Sequence, residues 1–102
     1  MFVVMTRVKL REGTSAECAE LFRRTNPELV KNEGDWLGAQ MLFDEDSNIV
    51  TVLAKWKNAE SYRKISAGAE FQTTMQAFGA FFAAPPEVTT SQVLVEMSPA
   101  SI

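Results

Sequence analysis

The sequence contains no histidine and a single cysteine. Without histidine, the chain cannot by itself build a Ser–His–Asp triad, an imidazole-bearing zinc site or the usual proximal ligand of haem iron. One cysteine excludes a disulfide within the chain and any multi-cysteine zinc or iron–sulfur site. The nucleotide-binding motifs GxGxxG and GxxxxGK(S/T) are also absent. Any chemistry must therefore come from carboxylates, tyrosine, tryptophan, hydroxyls, lysine, arginine and the backbone.

Charge and length narrow the function classes further. The 102-residue chain carries 10 lysines and arginines against 13 aspartates and glutamates, a net charge of −3. The basic residues form no stripe, so we expect no nucleic-acid partner. The apolar start, MFVVM, is too short to span a membrane, and the charges follow it instead of preceding it as in a signal peptide. We therefore expect one cytoplasmic domain over residues 1–102, without a membrane partner or a metal, and with a flexible tail at 98–102.

Two kinds of periodicity divide the chain into strands and helices. Alternation of apolar and polar residues predicts strands at 2–10, 36–43, 49–57 and 88–97. After the first strand, Thr14 and Glu17 have the spacing of a capping box, which starts a helix with Cys18 on its buried side. Pro27 should kink that helix, or restart it with Asn26 as the cap. Apolar residues at helical spacing predict two further helices, at 58–66 and 69–82.

The order of these elements, β-α-β-β-α-β, predicts a ferredoxin-like α+β fold. In that plan a four-stranded antiparallel sheet carries its helices on one face. The opposite face then needs a cover, because its expected residues are mostly apolar or neutral: Val3, Met5, Leu37, Ala39, Met41, Thr51, Leu53, Val93 and Val95. A second copy of the chain is the simplest cover. We therefore expect a homodimer in which two sheets form a dimeric α/β barrel.

The stretch Asn48–Tyr62 places two large aromatic side chains at one end of this predicted domain. Trp56 ends an alternating strand, and Asn58 follows as a plausible helix N-cap. Tyr62 lies in the first turns of the helix that Asn58 starts. Tryptophan and tyrosine combine an apolar ring with a polar tip, which suits a pocket wall or an interface. The spacing therefore predicts that both rings stand at the mouth of a pocket.

Taken in order, the segments of the chain resemble the antibiotic biosynthesis monooxygenase family. The resemblance rests on MFVVMTRVKLREGT, EGDWLGAQMLFDED, VTVLAKWKNAESYRKI, AEFQ and PPEV, from about Phe2 to Met97. It implies a ferredoxin-like fold, a homodimer and a pocket between the sheet and the helices. Some members oxidise polycyclic phenols to quinones with O2 and no cofactor. Others act on quinols, others degrade haem, and many have no known activity.

The haem-degrading branch of the family is disfavoured at three positions. Its members carry an asparagine in the first strand, a tryptophan in the short helix and a proximal histidine in the next helix. The matching positions here are Thr6, Ile65 and Met75. Loss of the histidine is the most damaging change, because the iron would lack its axial nitrogen. A methionine on an apolar helical stripe usually packs in the core.

The cofactor-free branch requires a pocket that binds the substrate, helps to remove a proton, stabilises the anion and excludes water. By resemblance, Trp56 and Tyr62 are the expected catalytic residues, through the indole N–H and the phenol O–H. No cofactor is implied. The expected partner besides a second chain is a small aromatic molecule. The remaining residues expected to bind it are Thr6, Phe22, Trp36, Ile65, Phe71, Met75 and Phe78.

Each of these residues also has a simpler structural interpretation. Trp56 can seal the core, and Tyr62 can serve only for packing. The helical stripe of Phe71, Met75, Phe78 and Phe82 is first of all a core stripe. The chain has no obvious general base. The alternative function is therefore a non-catalytic dimeric module of the same fold that binds or senses a small apolar ligand.

Overall fold

The strands and helices follow the predicted order along the chain. The computed structural model describes residues 1–102. Its elements are β1 (Phe2–Lys9), α1 (Ser15–Val30), β2 (Trp36–Asp44), β3 (Ile49–Trp56), α2 (Ala59–Ser66), α3 (Ala69–Phe78) and β4 (Glu87–Gln92). Short 3-10 turns follow α3 at Gly79–Phe81 and close the chain at Pro99–Ser101. None of the helices combines the length and the apolarity needed to span a membrane.

The four strands form one antiparallel sheet in the order β2-β3-β1-β4. That order and the helices packed on one face of the sheet confirm the predicted ferredoxin-like α+β fold. Val4, Thr6 and Val8 of β1 point toward the helices, as do Val52 and Ala54 of β3. Because side chains alternate along a strand, the intervening residues, among them Val3, Met5, Thr51 and Leu53, lie on the opposite face as predicted.

A β-bulge in β2 overturns part of the predicted outer face. The register slips between Trp36 and Gly38, where glycine adopts a φ of 132° that other residues rarely adopt. Beyond the bulge, Ala39 pairs with Ala54, and Met41 pairs with Val52. The extra residue reverses the alternation, so Ala39 and Met41 face the helices and not the outer side. The sequence pattern places them on the wrong face because the alternation of side chains does not reveal the extra residue of the bulge.

Helix α1 lacks the capping box predicted at its start, and of the two alternatives predicted at Pro27 the restart does not occur. Thr14 occupies the N-cap position, but its hydroxyl donates to the carbonyl of Arg11 at 2.7 Å and makes no cap hydrogen bond, so the capping box with Glu17 does not form. The helix also continues through Pro27 to Val30 without restarting. Asn26 is therefore an interior residue of α1 and not a cap.

The second helical region divides at Gly68 into α2 and α3. The predicted cap of α2 is confirmed, since the backbone N–H of Ser61 donates to Oδ1 of Asn58 at 2.9 Å. Helix α3 ends at Phe78, earlier than predicted, and passes into the 3-10 turn. Strand β4 ends at Gln92, so the predicted outer-face residues Val93 and Val95 lie beyond the strand.

The core lies between the helices and the inner face of the sheet, in two clusters of buried side chains. One contains Val8, Leu10, Cys18, Val50 and Phe78. The other contains Val4, Val30 and Trp56, at the end of the sheet where β3 passes into α2. Members of both clusters border the same cavity between the sheet and the helices.

Candidate active site

A cavity of about 180 Å³ lies between the sheet and the three helices, and 19 of its 23 lining residues are hydrophobic. An apolar cavity of about 150 Å³ suffices to hold benzene in another protein, so this one can hold a small aromatic ring system. Every residue predicted from the sequence to form the site borders it: Thr6, Phe22, Trp36, Trp56, Tyr62, Ile65, Phe71, Met75 and Phe78. The fold thus brings the nine side chains together, and their roles toward a ligand stay predictions.

Three aromatic rings close one end of the cavity. The ring centroids of Trp56 and Tyr62 are 6.1 Å apart, and their planes are inclined by 58°. Tyr62 in turn meets Phe71 edge to face, at 6.4 Å and 86°. Across the sheet, Trp56 pairs with Phe2 on one side and Trp36 on the other. Aromatic pairs at such distances and angles are favourable beyond the area they bury, so this corner is a rigid wall.

The indole N–H of Trp56 is a buried donor without an acceptor. Trp56 is only 3% exposed, and its Nε1 has no hydrogen-bond partner. It is the only buried side-chain nitrogen or oxygen in this condition. Burying a donor unpaired costs about 1–3 kcal/mol, and such a group in a native fold calls for an explanation. A ligand oxygen that reached this corner of the cavity would supply the missing acceptor.

Tyr62 offers the second donor at the same corner. Burial raises the pKa of its phenol above the ordinary value of 10.0, with the Ser66 hydroxyl acting in the opposite direction. The group is therefore a neutral phenol at physiological pH, able to donate a hydrogen bond but unsuited to act as a base. Burial likewise raises the pKa of the Cys18 thiol, so this cavity residue is not an activated nucleophile.

Uncharged groups supply the remaining polarity of the cavity. Its polar lining residues are Thr6, Thr25, Asn26 and Thr74. Thr25 already donates to the carbonyl of Leu21 at 2.8 Å, within α1. No carboxylate, lysine or arginine borders the cavity, and nowhere do three aspartate, glutamate or cysteine side chains gather as metal ligands would. The cavity can therefore polarise a ligand by hydrogen bonds but cannot pair with a ligand charge.

Several cavity residues were missed from the sequence. The sequence offers Asn26 as a helix cap, although its position four residues after Phe22 puts both on one face of α1, which is a signal for a cavity residue. Met41 was assigned to the outer face because the bulge was not foreseen. Phe22, Asn26 and Met41 also border a surface groove between α1 and β2, which therefore adjoins the cavity.

A polar junction stands just outside the aromatic corner. Oδ2 of Asp35 accepts hydrogen bonds from the hydroxyl of Ser61 at 2.6 Å and from Nδ2 of Asn58 at 3.2 Å. The backbone N–H of Lys57 donates to the carbonyl oxygen of Asp35 at 2.8 Å. The two side-chain bonds, first that of Ser61, and the nearby Lys57 hold the pKa of the Asp35 carboxyl below its ordinary value. The junction ties the start of β2 to the end of β3 and the start of α2.

A ferredoxin-like sheet with an apolar, aromatic-walled cavity beneath its helices defines a class of small α+β domains. Within that class, the chain belongs to the antibiotic biosynthesis monooxygenase family, whose model matches residues 1–77. The resemblance noted in the sequence is thereby confirmed. Among curated proteins, none matches the chain in sequence.

Solved structures of similar fold include three that cover nearly the whole chain. A monooxygenase of Streptomyces coelicolor in complex with nanaomycin D has a TM-score of 0.84 and 19% identity, over 96% of this chain and 91% of that one. SnoaB, a cofactor-independent oxygenase from Streptomyces nogalater, has a TM-score of 0.79 and 18% identity, over 94% and 95%. A conserved protein from Methanosarcina mazei has a TM-score of 0.76 and 16% identity, over 89% and 90%. At such identities the likeness establishes the fold.

Proposed function

We propose that this protein is a cofactor-independent monooxygenase acting on a phenolic, polycyclic aromatic or quinol substrate. The observation that carries the proposal is the unpaired indole N–H of Trp56 at the aromatic end of an apolar cavity. Membership of the monooxygenase family and the likeness to a cofactor-independent oxygenase support the reaction class. A phenol presents a flat apolar ring and one oxygen, which match the walls and the single orphan donor.

Such a reaction asks little of the protein beyond binding and electrostatics. Ground-state O2 is a triplet and reacts slowly with closed-shell molecules, but an electron-rich phenolate can transfer one electron to it. The resulting radicals combine to a ring peroxide, which loses water to leave a quinone. For a phenol, the substrate supplies all the electrons, so one O2 yields one quinone oxygen and one water. The protein must favour the anion and keep bulk water out.

In this proposal, Trp56 and Tyr62 stabilise that anion within the cavity. Both are neutral donors on one corner, with rings 6.1 Å apart. Thr6 faces the same cavity from the middle of β1 and can add a third contact. The apolar residues, among them Phe22, Phe71 and Phe78, enclose the ring and exclude water. Fixed donors in a dry site stabilise a developing oxyanion more strongly than they would in water.

One observation favours the alternative, a non-catalytic dimeric module that binds or senses a small ligand. The ionisable side chains that border the cavity are Tyr62 and Cys18, and burial raises the pKa of both. Neither is a base at neutral pH, so a substrate must bring a hydroxyl acidic enough to ionise by itself. A ligand without such a hydroxyl would be bound and left unchanged.

We also propose that the protein is a homodimer whose sheets face each other. The outer face exposes apolar side chains, including Met5 at 37% and Leu42 at 47%. Beyond β4, Leu94, Val95 and Met97 are exposed as well. Exposed apolar patches of this kind commonly mark an association surface. Light scattering at micromolar concentration should give twice the chain mass, and a monomer would contradict the proposal.

The deciding experiment is O2 uptake with hydroquinones, naphthols and anthrones, corrected for autoxidation with heat-denatured protein. Saturable uptake without added metal or flavin supports the oxygenase. Binding of panel members, detected by tryptophan fluorescence, without uptake favours the binding module. A haem titration completes the set: Thr6, Ile65 and Met75 offer no axial nitrogen, so we expect no sharp Soret shift at one haem per chain.

A further inference from the structure

Asp35 forms hydrogen bonds with residues that directly adjoin the aromatic residues of the cavity. Its side chain accepts from Ser61, the neighbour of Tyr62, and its carbonyl accepts from Lys57, the neighbour of Trp56. Asp35 itself precedes Trp36. Trp36, Trp56 and Tyr62 belong to β2, β3 and α2, and Asp35 adjoins the first and is hydrogen-bonded to the neighbour of each of the other two.

Helix α2 is the shortest of the three α-helices. It is eight residues long and has no buried residue. Tyr62 and Ile65 are its members on the cavity wall, and both pack against the cluster that contains Trp56. Because α2 is short and has no fully buried residue, restraints at its ends contribute to its placement alongside this packing. At its start those restraints are the Asn58 cap and the two hydrogen bonds to Asp35.

The chemistry of the junction suits a lasting restraint. A carboxylate at a helix N-terminus faces the positive end of the helix dipole, and hydrogen bonds to a charged acceptor are shorter and stronger than neutral ones. The 2.6 Å bond from the Ser61 hydroxyl has that character. Both side-chain bonds end on the same oxygen, Oδ2. An asparagine at this position could therefore keep both acceptor contacts with its single carbonyl oxygen.

We propose that Asp35 is a positioning residue of the proposed oxygenase site, holding the start of α2 so that Tyr62 stays against Trp56 and closes the cavity. The proposal rests on the proposed function for its kinetic consequence, but its structural consequence stands independently. Without the restraint, α2 would shift or unfold locally. Trp56 would then become accessible to solvent, and Tyr62 would move away from its position relative to a bound substrate.

The test uses Asp35→Ala, Asp35→Asn and Ser61→Ala, with Asp44→Ala as the matched control. Asp44 lies at the other end of β2, and its carboxylate also holds a local turn, accepting from the Asp46 N–H at 3.1 Å and the Ser47 hydroxyl at 2.9 Å. Asp44→Ala thus removes the same charge and a similar pair of bonds at the opposite end of β2, away from the aromatic corner.

The first measurement needs no turnover. In a Trp36→Phe background, where Trp56 is the only tryptophan, acrylamide quenching reports its accessibility. We expect Asp35→Ala to raise the quenching constant at least about twofold through local opening, Asp35→Asn to restore most of the protection, and Ser61→Ala to fall between them. Asp44→Ala should leave it unchanged. Equal quenching in Asp35→Ala and its parent, or an equal rise in Asp44→Ala, would overturn the proposal.

Kinetics of the same substitutions in the wild-type chain, which retains Trp36 and is the parent here, then separate positioning from general stability. Misplacing a contact group typically costs roughly tenfold to a hundredfold in rate, so Asp35→Ala should lose that much, mainly in kcat, and Asp35→Asn should recover most of it. A loss confined to KM, or no rescue by asparagine, would contradict the role. If the parent shows no turnover, the oxygenase proposal fails, while the quenching series still decides whether Asp35 holds α2. Should Asp35→Ala fail to fold, Asp35→Asn and Ser61→Ala carry the same comparison.

Discussion

Trp56 and Tyr62 meet at 6.1 Å between ring centroids, across the three-residue step from β3 into α2. The contact closes the second core cluster, in which Trp56 is buried and Tyr62 packs over it. The same two side chains carry the donors that the proposed chemistry uses. Stability and the proposed function therefore share one corner of the molecule, and the substitutions that separate them must remove a polar atom while keeping a ring.

Tyr62→Phe removes the phenol oxygen and keeps the ring that packs on Trp56 and Phe71. We expect kcat/KM in the O2-uptake assay to fall about 10²-fold, the size of effect seen when one oxyanion donor is lost. The free energy of unfolding should change by less than about 1 kcal/mol, because the apolar contacts remain. Steady-state kinetics and urea unfolding on the same preparations check both parts.

Phe71→Leu is the control for that substitution, since it alters the same aromatic contact without touching a donor. It should reduce stability by about 1 kcal/mol. Because Phe71 also lines the cavity, KM can rise, but kcat should fall less than it does in Tyr62→Phe. An equal kinetic loss in both variants would mean that Tyr62 serves only as packing. That result would favour the plain structural interpretation of the residue.

Trp56→Phe should be tolerated better than the burial of Trp56 suggests. The substitution leaves a small void, but it breaks no hydrogen bond and removes an unpaired buried donor. We expect a loss of about 1–2 kcal/mol, below the range for truncating a buried aromatic ring to alanine. Urea unfolding followed by circular dichroism measures it. A loss above about 4 kcal/mol would show that the N–H has a partner in solution.

The pH dependence of Tyr62 follows from its burial. The pKa of its phenol is raised above 10.0 in the folded protein, so folding favours the neutral form. This contribution to stability is fully present below the unfolded pKa and is lost as the pH rises through the folded one. Tyr62 is the only tyrosine, so the tyrosinate absorbance reports it alone. Its midpoint should lie higher in native protein than in urea, and equal midpoints would contradict the burial.

The fold was largely predictable because its signals are local and repeated. Alternation along β1 and β3 and the cap at Asn58 each specify structure from a few neighbouring residues, and the structure confirms them. The bulge at Gly38 escaped prediction because a glycine in a strand does not reveal whether a residue is inserted. The proposed capping box failed because the Thr14 hydroxyl bonds backward to Arg11. Local side-chain bonds of this kind compete with capping.

The candidate site, like the fold, was predictable from the sequence only in part. Trp56 and Tyr62 could be placed together because they flank one short connection. The orphan state of the Trp56 N–H could not be foreseen, since it depends on every element packed around the ring. Nor could the role of Asp35 in joining β2 to α2, because a lone aspartate before a strand has no signature for a partner 26 residues away.

The rate at which a thiol reagent labels Cys18 reports how often the cavity opens. It is 1% exposed, it borders the cavity, and burial raises the pKa of its thiol. A thiol reagent should therefore modify native protein only through an opened state, far more slowly than the urea-unfolded chain.

A naphthol that fills the cavity should slow labelling further, by about 100-fold at a concentration 100 times its Kd, because a protein molecule that holds naphthol must release it before the cavity opens. The chain has no other cysteine, so Cys18→Ala is an exact blank. Fast labelling of the native protein, or labelling that naphthol does not slow, would show that the thiol is reached without opening the cavity.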